Sequence, residues 1–238
     1  MKNIYKIIIY FILGVFGGIF GSQILWPLFV ERPLFLKYRL EQNPVYLTEK
    51  KEIIVQENTA LISAIEKVEK SIVAIKTKTA SQKTIEGSGL ILSSDGLIIT
   101  LADLIPKNSA SELYINGEKT QFKVLKNSAE LNLVLLKAEK SNLSTVGFGN
   151  LEKIKLGQRI FIVGTKFIKN FPQILVNEGI IKTFNENSIT TNILEEKELA
   201  GSSLFDIEGN FLGLNTINQE GKVISIPVTK IKNFSGFK

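Results

Sequence analysis

The chain has 238 residues, 44% hydrophobic and 22% charged, so it can hold one membrane segment and a soluble unit of roughly 180 residues. It contains no cysteine and no histidine, which excludes disulfides, thiolate catalysis and the commonest transition-metal ligands, and we expect neither a metal nor another cofactor. The net charge is +6, but lysine and glutamate alternate closely, which indicates a solvated surface and no nucleic-acid site.

The first element is an uncharged apolar run at residues 7–30, long enough to cross a hydrocarbon core of about 30 Å as a helix. Two lysines lie in the preceding tail, residues 1–6, and the positive-inside rule keeps such a tail in the cytoplasm. We therefore predict a single-pass anchor in the cytoplasmic membrane that carries the C-terminal domain outside. A cleavable signal peptide is the competing interpretation, because Gly21 and Ser22 are small, but the apolar run exceeds the usual length of such a peptide.

The next segment, residues 31–57, turns polar and contains prolines and a Lys/Glu cluster, so we predict a stalk or linker. Residues 58–70 then place Leu61, Ile65 and Val68 at helical spacing. This spacing predicts a short amphipathic helix that docks onto the domain that follows.

From Ser71 onwards, short β-rich runs alternate with Gly, Asn and Asp turns. This pattern predicts an all-β fold of two packed six-stranded antiparallel β-barrels, at about 71–148 and about 149–230, within one domain at 58–238. The predicted strands are 71–77, 86–92, 97–100, 112–116, 121–126, 133–138, 160–165, 176–183, 188–193, 203–206, 211–217 and 223–227.

Several stretches of this domain carry motifs in a recognisable order. They are GSGLILSSDGLIIT (87–100), LNLVLLKAE (131–139), VGFGNLEKIKLGQRIFIVGT (146–165), NEGIIKT (177–183), LFDIEGNFLGLNT (204–216) and ISIP (224–227). Together they resemble the HtrA/Deg family of trypsin-like serine endopeptidases, which are membrane-tethered or secreted envelope proteases. The resemblance implies the double β-barrel of the chymotrypsin fold. Family members usually carry PDZ domains after the barrels, and we expect none in the short stretch after Pro227.

The family's catalytic positions are carried over one at a time by this resemblance. Its histidine corresponds to Asp103, its orienting aspartate to Asn132 and its nucleophilic serine to Ala200. These three substitutions remove base, orienter and nucleophile together, so the resemblance implies a degenerate member without an intact triad. The glycine of the family's oxyanion hole corresponds to Glu198, where both a Cβ atom and a negative charge oppose an oxyanion.

The leading functional hypothesis is a membrane-anchored pseudoprotease that binds protein or peptide at the old substrate groove without cleaving it. The FIKNF stretch, at Phe167 to Phe171, stands where the family has a glycine-rich loop near the site. The candidate binding residues are therefore Phe167, Phe171 and Glu198.

Two other functions stay open. A gap of two residues in the alignment would place Ser202 or Ser203 at the nucleophile position, and an active endopeptidase would then use Lys197 or Lys166 as its base. Alternatively, the domain is a passive envelope scaffold, dimerised through the two overlapping GxxxG spacings at 14–21. Trimers are common in the family, but the sequence decides neither the oligomeric state nor the partner.

Overall fold

The structure is a computed structural model that describes residues 2–25 and 57–237. Its N-terminal helix, α1, spans Lys2–Phe20 and continues as a π-helical turn over Gly21–Leu25. The stretch Ile4–Ile24 has a mean hydropathy of 2.0 and is, by length and composition, able to cross a membrane. The end of the predicted membrane segment and nearly all of the predicted stalk lie outside the described residues.

The folded domain begins with helix α2, Glu57–Val68, at the position where the helical spacing predicts one. Ala64 and Val68 are buried on one face of this helix. Near its C-terminal end, the Lys67 ammonium donates to the Glu208 carbonyl oxygen at 2.9 Å. The helix is thereby held against the second half of the domain.

The rest of the domain is built almost entirely of antiparallel strands, which confirms the all-β prediction. In chain order the strands are β1 Ile72–Lys78, β2 Thr84–Ser93, β3 Leu97–Thr100, β4 Ala110–Ile115, β5 Glu118–Thr120, β6 Phe122–Ser128, β7 Leu133–Ala138, β8 Arg159–Ile168, β9 Phe171–Phe184, β10 Ile189–Leu194, β11 Ser203–Asp206, β12 Phe211–Ile217 and β13 Lys222–Pro227. A final helix, α3, spans Val228–Ser235.

The second half of the domain is a closed barrel of six strands in the order β10-β13-β12-β11-β8-β9. Its interior is aliphatic because alternate residues of each strand point inwards. The interior includes Ile160, Ile162, Leu204, Leu212 and Val223, all of them at most 1% exposed.

The first half is a curled sheet of seven strands in the order β5-β4-β1-β2-β3-β7-β6, which differs from the six strands predicted. Gln121 alone separates the two edge strands, β5 and β6. The two edges of the sheet therefore meet at this residue, and the sheet curls into a barrel-like shape. The additional strand is β5, because residues 118–128 form two strands, β5 and β6, where one was predicted. The short polar sequence of β5 gives no indication of a strand.

Among the described residues, one of the two hydrophobic core clusters contains residues of both halves. Phe161, Phe205 and Phe211 of the second half lie in the same buried cluster as the aliphatic residues of the first. The Phe161 and Phe205 rings stack with their centroids 5.4 Å apart. The halves consequently pack along a rigid aromatic seam, and the candidate site lies beside that seam.

Candidate functional site

Asp103 and Asn132 are brought together by the pairing of β3 with β7. Asp103 lies in a 3₁₀ turn just after β3, and Asn132 lies just before β7, whose Val134 pairs with Thr100 of β3. The Asn132 Nδ2 atom donates to Asp103 Oδ2 at 2.8 Å, and the Asp103 backbone N–H donates to Asn132 Oδ1 at 3.0 Å. Asn132 adopts a φ of 52°, a left-handed conformation that asparagine tolerates well. The positions of base and orienter therefore form a mutually hydrogen-bonded pair.

Ala200 lies in the contact between the two halves. Its carbonyl oxygen accepts from the Ser88 N–H of β2 at 2.9 Å. A Cβ atom at Gly87 would lie 2.7 Å from this carbonyl oxygen and 2.5 Å from the Leu104 side chain. Ala200 and Leu104, the residue that follows Asp103, thus both lie against position 87. Only glycine leaves room for them there.

At the predicted oxyanion position, one backbone donor is already engaged. Residues Lys197–Leu199 form a short 3₁₀ helix, and the Ala200 N–H donates to the Lys197 carbonyl oxygen at 3.0 Å. An amide engaged in this way cannot also donate to a developing oxyanion. Glu198 is exposed on the same helix. The sequence indicated an obstructing residue at Glu198, but it carried no signal for the internal bond of the Ala200 amide.

The two alternative serines are buried. Ser202 and Ser203 are both 0% exposed. The Ser202 hydroxyl accepts from Asn215 Nδ2 at 3.0 Å, and the Ser203 hydroxyl has no hydrogen-bond partner among the described residues. Neither hydroxyl is accessible to a peptide bond in this conformation.

The two candidate base lysines lack the environment of a general base. Lys166 forms a short ion pair with the Glu196 carboxylate, and this hydrogen bond raises the pKa of the Lys166 ammonium. A lysine base needs the opposite shift, which comes from burial away from acids. Lys197 is exposed to solvent on the 3₁₀ helix. No Ser–Lys dyad is assembled among these residues.

The comparison with known proteins agrees with this architecture. The sequence matches the trypsin-like peptidase domain over residues 87–214. The chain belongs to the trypsin-like peptidase family. A probable periplasmic serine endoprotease DegP-like of Halomonas elongata is 27% identical over 141 residues, 55% of this chain and 29% of that protein. The serine protease HTR4 of Rattus norvegicus is 25% identical over 195 residues, 73% of this chain and 39% of that protein.

The fold is also similar to that of a solved structure. The structure of the HtrA-type protease AlgW with tripeptide superposes with a TM-score of 0.66 at 20% identity, covering 74% of this chain and 62% of that one. The chain is therefore an HtrA-like member of the trypsin-like family, as its motifs predicted. It spans less than two fifths of the two relatives compared by sequence.

In this HtrA-like chain the FIKNF stretch forms the tip of the β8–β9 hairpin. Lys169 and Asn170 make its two-residue turn with φ of 51° and 68°, as a type I′ turn requires. Phe171 is 72% exposed. Phe167 is half-buried, because its ring lies 5.4 Å from the Tyr114 ring. Of these two candidate binding residues, Phe171 thus presents an exposed ring, and Phe167 packs the hairpin against the first half.

A groove separates this hairpin from the sheet of the first half. It has a volume of about 340 Å³ and is lined by Ile72, Ala74, Tyr114, Thr165, Pro172 and Ile174, among others. Thr165 links the groove to the site, since its hydroxyl lies 3.1 Å from the Ser88 hydroxyl and its N–H donates to the same oxygen at 2.8 Å. Ser88 in turn donates its N–H to the Ala200 carbonyl oxygen, so hydrogen bonds connect one wall of the groove to Ala200. No acidic cluster able to hold a metal ion is found among residues 2–25 and 57–237.

Proposed function

We propose that this chain is a membrane-anchored, extracytoplasmic pseudoprotease that binds an extended protein or peptide segment without cleaving it. The observation that carries the proposal is the Asp103–Asn132 pair on the same framework as Ala200. Peptide hydrolysis by a trypsin-type site needs a proton acceptor next to a nucleophilic oxygen. At the aligned positions this chain has a carboxylate that is hydrogen-bonded to an amide. A methyl group stands in place of the nucleophilic oxygen.

Two further observations support the absence of cleavage. The Ala200 amide is occupied by the Lys197 carbonyl oxygen, so the aligned oxyanion donor is missing as well. The nearest serines, Ser202 and Ser203, are fully buried, and Lys166 is paired with an acid. The aligned positions thus lack an accessible nucleophile, a general base and a free oxyanion donor at the same time. We therefore expect that no single substitution would restore the reaction.

The binding role is supported by the surface beside the site. Phe171 exposes a large aromatic ring at the hairpin tip, and the groove of about 340 Å³ below the hairpin has an apolar wall at Pro172 and Ile174. Exposed rings next to an apolar groove are typical of protein and peptide binding surfaces. Glu198 adds an exposed carboxylate at the old oxyanion position.

The location is supported by the N-terminal helix and by the relatives. The stretch Ile4–Ile24 can cross a bilayer, and the matched protein of Halomonas elongata is described as periplasmic. Lysines at positions 2 and 6 favour an N-terminus on the cytoplasmic side. The folded domain would then work outside the cytoplasmic membrane.

Cleavage is tested with the full chain purified in mild detergent. We expect no turnover of unfolded casein and no labelling by a fluorophosphonate probe. A Ser202→Ala variant is the matched control for the displaced-nucleophile alternative. Labelling of the native chain that this variant abolishes would establish an active endopeptidase and end the proposal.

Binding is tested with fluorescently labelled, reduced casein as the probe. We expect Phe171→Ala to weaken binding about tenfold, the effect of losing one well-placed aromatic contact. Leu156→Ala is the matched control, because Leu156 is 67% exposed on another surface. Equal binding by both variants would contradict a hairpin site. Self-association of the chain without any casein binding would favour the scaffold instead.

A further inference from the structure

A second surface, on β6 and helix α3, combines lysines with exposed aliphatic side chains. Strand β6 and helix α3 border a cavity of about 410 Å³, lined by Lys126, Ser128, Leu131, Lys230, Asn233 and Phe234. Val124 and Leu125 of β6 are 49% and 56% exposed beside it. We call this the β6–α3 surface: Lys123, Leu125, Lys126 and Lys230, with the buried Phe234 ring beneath Lys126.

Leu125 is exposed at an irregular point of β6. Val124 pairs with Leu136 and Lys126 pairs with Leu135, so Leu125 is the extra residue of a β-bulge. A bulge leaves its extra residue without a cross-strand partner. All residues from 123 to 127 are exposed, and Leu125 lies in this stretch between two lysines, Lys123 and Lys126.

The lysines of this surface are held in place but only partly neutralised. Lys126 donates to the Phe234 carbonyl oxygen at 2.9 Å and lies 4.6 Å above the Phe234 ring. Neither Lys126 nor Lys230 forms an ion pair with a carboxylate in the part of the chain that the structure describes. Lys123 has one acidic partner, Glu139, at 3.5 Å.

We propose that the β6–α3 surface docks onto a bilayer of anionic lipids, with Leu125 in the headgroup region and the lysines against the phosphates. The proposal rests on the membrane anchor proposed above, since an anchored chain always has a bilayer within reach. Charge complementarity favours anionic lipids as the binding partner of this surface. Each lysine near an anionic surface contributes about 1 kcal/mol, a factor of about five in the ratio of docked to free domain. A second copy of the same lysine-rich surface would instead be repelled.

The experiment uses the full chain in nanodiscs and exploits its lack of cysteine. Asn127→Cys, next to the surface, accepts one environment-sensitive fluorophore without competing sites. In discs of phosphatidylcholine and phosphatidylglycerol in equal parts, we expect a blue shift of the emission and protection from iodide quenching. In discs of phosphatidylcholine alone, we expect neither. The same label at Asn187, in the β9–β10 turn of the second barrel, should not respond in either disc.

Substitutions then test the named side chains. Lys126→Gln and Lys230→Gln should each lower the ratio of docked to free domain about five-fold, and Leu125→Asp should abolish the blue shift. Lys182→Gln removes the same charge from β9 and should change nothing. Co-elution of the chain with neutral discs reports the anchor separately, so that loss of docking is distinguishable from loss of anchoring.

Three results would overturn the proposal. The first is an unchanged emission in anionic discs that demonstrably hold the chain. The second is an equal shift in neutral discs, which would show that charge does not select the surface. The third is a shift that appears only when a disc holds more than one copy, which would assign the surface to a second chain.

Discussion

Asn132 binds Asp103 at two points, through the backbone N–H at 3.0 Å and through the carboxylate at 2.8 Å. In the family's active arrangement the corresponding side chains are a carboxylate and an imidazole, and the carboxylate accepts a hydrogen bond from the ring and stabilises its protonated form. In this chain the uncharged amide of Asn132 is hydrogen-bonded to the carboxylate of Asp103 instead. The pair therefore lacks the imidazole that serves as the general base in a trypsin-type site.

The amide at Asn132 is therefore expected to matter for stability. Asn132→Asp removes the hydrogen bond to Asp103 and places two carboxylates side by side, which should cost about 1 to 2 kcal/mol at neutral pH. Urea unfolding of the full chain in detergent at neutral pH measures the loss. An unchanged stability would show that the two side chains do not interact.

The glycine after Ala200 should be irreplaceable. Gly201 has a φ of 77°, and a Cβ atom there would overlap the Ser88 carbonyl oxygen. Gly201→Ala should therefore cost about 4 kcal/mol, from backbone strain and displacement of β2 together. Gly117→Ala is the matched control, because Gly117 has a φ of 80° but open space around its Cβ position. The control should lose only about 1 kcal/mol in the same unfolding assay, and equal losses would disprove the overlap.

The two buried serines should respond differently to the same substitution. Ser202→Ala leaves Asn215 Nδ2 without its acceptor, and we expect a loss of about 1 to 2 kcal/mol. Ser203→Ala removes a hydroxyl that has no partner among the described residues, and stability should change by less than about 0.5 kcal/mol. Thermal unfolding of both variants compares them directly. A larger loss for Ser203→Ala would reveal a partner for its hydroxyl.

Rebuilding the triad tests the assigned positions. The triple variant Asp103→His, Asn132→Asp, Ala200→Ser should remain nearly inert towards a fluorophosphonate, because the amide at position 200 still donates to the Lys197 carbonyl oxygen. Adding Glu198→Gly frees this turn, and the labelling rate should rise about a hundred-fold, the usual contribution of an oxyanion donor. The control carries the same changes except at Ala200 and should stay unlabelled. Absence of labelling in the fourfold variant would refute the alignment.

Most of the fold could be predicted because its signals are local. The observed bounds of β3, β7, β11 and β12 coincide with the predicted ranges, since each strand lies between clear turn residues. The short strand β5 was missed because its sequence, Glu-Lys-Thr, has neither alternation nor apolar residues. Helix α3 was also missed, although Val228, Ile231 and Phe234 carry a helical spacing that could have revealed it.

The site could be predicted only in part, for a physical reason. Motif order assigns Asp103, Asn132 and Ala200 to the triad positions, which stays a prediction, and the contact between the first two follows from the pairing of β3 with β7. The bond of the Ala200 amide and the burial of Ser202 and Ser203 depend on how distant segments pack across the seam. Exposure of Phe171 but not of Phe167 likewise depends on Tyr114, far away in sequence. Such long-range contacts leave no periodic trace in the chain.

The position of helix α3 has a consequence for biosynthesis. Its buried residues Val228, Ile231 and Phe234 belong to the same core cluster as residues of the first half, from Ala64 to Leu143. That cluster stays incomplete until residues 228–235 have left the ribosome. The amino-terminal sheet should therefore mature only after helix α3 has been synthesised, and its unfinished core is exposed to aggregation until then.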